Sequence, residues 1–211
     1  MVISVNDVST EGIVNRAITP GSLGEIPAGT VMVPWQQYGT STAIASTAAE
    51  TSIFNTAKIS AGVSGYTYVP ASTLWTSPAN FLTLGTGVTG NFVGSIANTG
   101  TPTLRVRVVM RTYGTNAIAY TVADTGAVAM TTISASDFQI DFSSSVVAIG
   151  ATSGSILGRV GFRYAATIVT APFSTTTIDT TQAYLWDVLL TWGASSASNT
   201  MTLAYGQIGL V

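Results

Sequence analysis

The sequence predicts an all-β protein: an antiparallel, jelly-roll-like β-sandwich over residues 41–211, preceded by an N-terminal arm or edge segment over residues 1–40. Three observations carry this. Apolar and polar residues alternate with period two in several stretches, the pattern that puts successive side chains on opposite faces of a sheet. Turn-forming residues punctuate the chain so as to leave about eight short strands, as sandwiches and jelly rolls require. No stretch sustains a helical period. An up-and-down barrel would produce a similar string of strands and turns.

The first 38 residues carry Pro20, Gly21, Gly24, Pro27, Gly29 and Pro34 among short apolar groups. Proline at this density forbids a helix and interrupts a central strand, so the segment reads either as an extended arm packed on the domain or a partner, or as a first edge strand. Its opening MVISVNDVSTEG lacks the basic region and apolar run of a secretory signal, so none is expected. In Ser41–Lys58, Thr47-Ala-Ala-Glu50 matches a helix capping box, but recurrent Thr and Ser favour a loop leading into a strand, with a short helix as the alternative. Tyr66, Tyr68, Leu74, Trp75 and Phe81 follow, broken by Pro70 and Pro78. These aromatics read as core filling, and alternatively as a glycan or partner surface, because tyrosine and tryptophan offer rigid contact area with a polar tip.

Gly85, Gly87 and Gly90 spell a dinucleotide-binding fingerprint. No strand–turn–helix pattern surrounds them and no acid follows about twenty residues on, so they read as a loop between strands. The clearest strand comes next. After the turn residues Asn98, Gly100 and Pro102, Leu104, Val106, Val108 and Met110 take one face while Arg105, Arg107 and Arg111 take the other, toward water or a neighbouring subunit. Ala117–Thr121 and the alternation around Val128 and Met130 add short strands, and Phe138, Ile140 and Phe142 a long one. Beyond Ser143–Ser145 the apolar phase moves to Val147 and Ile149, which predicts a bulge or bend at the serines. Ile156–Tyr164 is a further strand with Arg159 and Arg163 on one phase. Tyr184–Trp192 and Met201–Tyr205, joined by Gly193–Asn199, read as a hairpin with a long loop.

Composition narrows the chemistry. Charged residues make up 8% of the chain, 9 acidic against 7 basic, well below the roughly 25% of ordinary soluble domains. A nucleic-acid partner is not expected, because phosphate binding needs clustered basic residues. A membrane span is not expected either, since no run approaches about 18 consecutive apolar residues. With no histidine and no cysteine, Ser-His-Asp and Cys-His catalysis and the usual zinc, copper and haem sites are excluded. Carboxylates remain. Asp137 and Asp141 stand four apart on one strand, roughly 13 Å at about 3.3 Å per residue, too far to share a metal. A glycosidase pair would have to come from distant acids such as Glu50 and Asp141. No catalytic, cofactor-binding or metal site is therefore assigned, and the chain is not expected to be an enzyme.

Three pieces of sequence in succession carry a resemblance. They are Asn98–Leu104 leading into Arg105-Val106; Phe138-Gln-Ile140 followed by Val147–Gly150; and Ile178–Gln182 followed by Trp186-Asp-Val188, Thr191–Gly193 and Ala197–Thr200. Over residues 50–211 the chain resembles structural proteins of tailed-bacteriophage virions, of the head-decoration, minor structural and fibre types. The resemblance implies a β-sandwich on the virion surface, often a homotrimer, without catalytic residues or cofactor. Its expected partners are copies of itself and the major capsid protein or another virion protein, docked through the N-terminal arm. An alternative role is a receptor-binding module of a tail or head fibre, gripping host-surface glycan through Trp75 and Tyr68. A shell-forming capsid subunit fits less well, because Arg16 is the only basic residue before Lys58 and a genome-packaging arm is basic.

Overall fold

The computed structural model describes residues 32–38, 43–45, 47–53 and 74–211. In chain order the strands are β1 (Met32–Tyr38), β2 (Ile44–Ala45), β3 (Thr51–Ser52), β4 (Thr76–Ser77), β5 (Gly87–Asn98), β6 (Thr103–Thr112) and β7 (Ile118–Asp124). They continue as β8 (Val128–Ala129), β9 (Ile133–Ala148), β10 (Gly154–Tyr164), β11 (Thr167–Thr170), β12 (Ser174–Ile178), β13 (Tyr184–Trp192) and β14 (Thr200–Leu210). Among the described residues there is no helix. Thr47 of the apparent capping box instead closes a small turn, its Oγ1 accepting from the Ala49 N–H at 3.0 Å before the chain enters β3.

Two antiparallel sheets pack against each other. The first runs β1-β14-β5-β9-β10-β11, with β12 also on β10 and β2 also on β14; the second runs β3-β13-β6-β7, with β4 also on β13 and β8 also on β6. Take β3 and β4 as one interrupted strand along β13, and set β2, β8 and β10–β12 aside. The remaining eight then fall as first-eighth-third-sixth in one sheet and second-seventh-fourth-fifth in the other. That is the strand order of a jelly roll, and it excludes an up-and-down barrel, where consecutive strands would be neighbours. β10–β12 are inserted between the sixth and seventh strands and widen the first sheet. Met32–Tyr38 is an edge strand, paired with β14 from Met32↔Leu210 to Tyr38↔Tyr205. The expectations for residues 1–31, and for Tyr66 and Tyr68, fall outside the described residues.

The alternation of β6 decides the core. Leu104, Val106, Val108 and Met110 are all buried and stand opposite Trp192, Leu190, Val188 and Trp186 of β13. Aromatic rings then bridge the sheets. Phe92 of β5 stacks on Phe142 of β9 (6.3 Å, 15°), Phe142 on Trp186 of β13 (6.2 Å, 7°), and Trp186 meets Trp75 (6.0 Å, 32°), which meets Phe81 edge-on (6.0 Å, 78°). Each such pair adds about 0.5–1.5 kcal/mol beyond its area burial.

Several expectations are corrected. Gly87–Phe92 is not a loop: β5 is a central strand between β14 and β9. Its glycines are there for space. Gly90 stands opposite Phe142 and Gly94 opposite Phe138, and a Cβ at either position would collide with that ring. The bulge in β9 is not at the serines. Ser144 is buried in phase with Phe142 and Val146 and donates to the Val88 carbonyl at 3.0 Å; the register skips beyond the serines, at Val147, which is left exposed with Ile149. β13 and β14 do not form a hairpin. Both edges of β13 are occupied, by β6 and by β3 and β4, so residues 193–199 arch across to the other sheet. β11 and β12, Thr-rich and separated by Pro172, were not foreseen.

At one side the sheets are clasped. Gly158 of β10 lies so close to β7 that a Cβ would strike the Val122 main chain. β12 meanwhile satisfies the free edge of β7: Thr176 Oγ1 donates to the Thr121 carbonyl at 2.8 Å and Ser174 Oγ to the Val122 carbonyl at 3.5 Å. Replacing Gly158 by alanine should cost about 1–3 kcal/mol, because the obstacle is backbone and cannot swing aside. Urea unfolding measures this, and an unchanged midpoint would mean the sheets have slack at this edge.

Candidate functional site

The arginines of β6 are the first place to look for function, and the fold disposes of them within the chain. Arg105 forms a bidentate ion pair with Asp124 at the end of β7. Arg107 reaches Glu50 at 2.9 Å and donates to Thr121 Oγ1 at 2.7 Å. Arg111 Nε donates to Asp187 Oδ2 at 2.7 Å, and its Nη1 to the Asn116 carbonyl at 2.8 Å. The expected row of guanidiniums facing water or a neighbour is thus a row of internally neutralised pairs.

Asp187 is the most constrained of these groups, with a side chain 1% exposed in the middle of β13. Its other oxygen accepts from Ser52 Oγ at 2.5 Å, which ties β3 to the sheet. Burial pushes the Asp187 carboxyl above the ordinary carboxylate range, against the opposing pull of Ser52, Arg111 and the Val188 N–H. Asp124 goes the other way. Partial burial raises it, but the Arg105 guanidinium and the Gly126 N–H outweigh that and hold it below its usual value. The signs of their pH dependence therefore differ. Asp124 contributes stability above its unfolded value, lost as pH falls through its lowered folded value; Asp187 favours the folded state at low pH and loses that contribution as pH rises through its raised folded value.

Glu50 and Asp141 are not brought together. Glu50 is bound to Arg107 on the outer face of the second sheet. Asp141 is exposed on β9, alternating with buried Ile140 and Phe142, and so lies on the outer face of the first. Among the described residues no three acidic side chains gather where they could hold a metal ion. Trp75 is half-buried, with its ring against Trp186 and Phe81.

A different concavity lies at one end of the first sheet. It has a volume of about 520 Å³ and crosses four strands: Ala204 of β14, Val93 and Gly94 of β5, Ser136–Gln139 of β9 and Arg163 of β10, closed by Ala165 in the turn after β10. Local irregularities make the hollow. The β14–β5 register skips at Ala204, and Ala165 adopts a left-handed conformation (φ 47°) to turn the chain into β11. Small residues at both ends leave room. The polar groups in it are Ser136, Asp137, Gln139 and Arg163, whose guanidinium donates to Gln139 Oε1 at 2.9 Å across the β9–β10 pair. Sequence reasoning placed Arg163 on an outward phase and singled out Asp137, but no local pattern joins residues from four strands.

Comparison with protein families, with curated proteins and with solved structures finds no match for this chain.

Arg111→Met tests the ionic account of β13. It leaves Asp187 buried without a countercharge, and about 3–5 kcal/mol of stability should be lost at pH 7. The loss should shrink as pH falls below 7, as the carboxyl, raised further by the missing cation, takes up a proton instead. Urea midpoints of both proteins across this range measure it. A penalty that does not change with pH would assign the effect to the packing of the arginine methylenes.

Proposed function

We propose that this protein is a structural component of a bacteriophage virion surface, decorating the head and making non-covalent contacts with copies of itself and with the underlying shell. The observation that carries the reading is how its charge is disposed: Arg105, Arg107 and Arg111 are each neutralised within the chain, on a jelly roll whose charged fraction is already 8%. What remains outside is largely hydroxyl and small apolar surface, with Leu84, Ile149, Ile168 and Phe173 well exposed. Such a surface has little net repulsion between copies and suits packing in an array. The resemblance over residues 50–211 supports the same reading.

A second reading is a receptor-binding module of a tail or head fibre. The hollow around Arg163 and Asp137 favours it, as a concave polar site. Cryo-electron microscopy of particles carrying the protein separates the two. Density on the head lattice supports decoration, density at a fibre tip supports the second reading, and absence from particles overturns both.

Two solution results follow from the first reading. Light scattering should give a homotrimer at micromolar concentration, and a monomer there would count against self-association. Attachment to particles should survive a wash from about 0.05 to 0.5 M salt, which shortens the screening length from roughly 14 Å to 4 Å, because the three arginines of β6 are not available as ionic docking groups. Progressive release in that range, followed by gel, would show that the ion pairs of β6 open on contact.

A further inference from the structure

We infer that the hollow at the end of the first sheet binds a carboxylate-bearing sugar, a uronic acid or similar residue, with Arg163 on the carboxylate and Asp137 on ring hydroxyls. This rests on the second reading above and gives it a ligand class.

The argument starts from the arginines. Arg105, Arg107 and Arg111 hold carboxylates, and Arg159 lies over the Phe173 ring at 5.5 Å. Arg163 has no acidic side chain within ion-pair distance among the described residues, and its side-chain hydrogen bond goes to the neutral amide oxygen of Gln139. That bond fixes the plane of the guanidinium without spending its charge. A cation held in orientation at the rim of a cavity, with donors to spare, is suited to a planar monoanion that accepts two parallel hydrogen bonds.

Asp137 decides what else the ligand carries. Its main-chain carbonyl accepts from the Ala165 N–H and from Ser136 Oγ, while its carboxylate, exposed in the same hollow, accepts no hydrogen bond among the described residues. A phosphate or a polyanion would be repelled by this second charge. A simple carboxylate would leave it unused. A ligand that presents one carboxylate together with hydroxyl donors satisfies both residues, and Ser136 and Gln139 add groups that can donate or accept. The apolar walls are Val93, Gly94, Ala165 and Ala204 together with Phe138, which is only 2% exposed, so little apolar surface is offered to anchor a peptide side chain. About 520 Å³ accommodates a monosaccharide with room for its neighbour in an oligosaccharide.

The test is titration of the full chain, by calorimetry and by nitrogen-resolved NMR of the arginine side chains, with D-glucuronic acid, its methyl ester and succinate. Glucuronic acid should bind about tenfold or more tightly than the ester, because a charge-assisted pair is lost in the latter, and should shift the Arg163 Nε resonance. Arg163→Gln should bring acid and ester to the same weak affinity. Asp137→Asn should weaken glucuronate while leaving succinate no weaker. Both variants alter exposed side chains, and wild-type thermal midpoints would confirm that they fold. Equal binding of acid and ester, unchanged affinity in Arg163→Gln, or succinate binding as tightly as glucuronate would each overturn the assignment. None of these outcomes depends on where the protein sits on a particle.

Discussion

The contact on which the two sheets depend is the stack of Phe92, Phe142 and Trp186, which passes from one sheet to the other with nearly parallel rings. A sandwich has no covalent or hydrogen-bonded link between its layers along most of its length, so side chains of the inner faces must supply the adhesion. Rings of this size fit only if something opposite them is absent. Gly90, in register with Phe142, supplies that absence. A sequence of glycines that resembles a phosphate loop is therefore a packing device: the central strand gives up its own side chain so that the neighbouring strand's ring can lie across it.

The same trade governs which parts of the fold were legible beforehand. β6 could be read because its apolar and charged residues alternate without exception from Leu104 to Val108. β5 could not, because glycine lowers strand propensity in isolation and its reason for being there sits on β9. Ser144 hid the phase of β9 in a similar way, a polar residue buried because the Val88 carbonyl is within reach. The mistaken hairpin at residues 184–205 has a topological cause. Local pattern shows two strands and a turn, but whether they pair depends on who already occupies the edges of β13, and those occupants lie about 80 and more than 100 residues away in the chain. The jelly-roll class was legible; the assignment of strands to sheets was not.

Electrostatics follows a comparable division. The three arginines of β6 were visible in sequence, but their fate was not, because Asp124, Glu50 and Asp187 come from the end of β7, a loop and a distant strand. With so few charges in the chain, pairing three of them internally decides the character of a whole face. It also makes Arg163 conspicuous, since its partner is an amide. The hollow it borders arises from a register skip in β14 and a left-handed residue after β10, both invisible to a periodicity argument.

The two long sides of the sandwich are built differently, and this orders how the molecule comes apart. On one side β12 is bonded to β10 and clasps β7 through its threonine and serine hydroxyls, so both sheets are held together there. On the other, the edges are completed by β1 and by three two-residue strands, β2, β3 and β4, each held by a short register. Amide protons on that second side should exchange with solvent through smaller openings than those of β10, which is paired on both sides. The molecule breathes like a book, with its spine at β7 and β12 and its pages parting at β1 to β4.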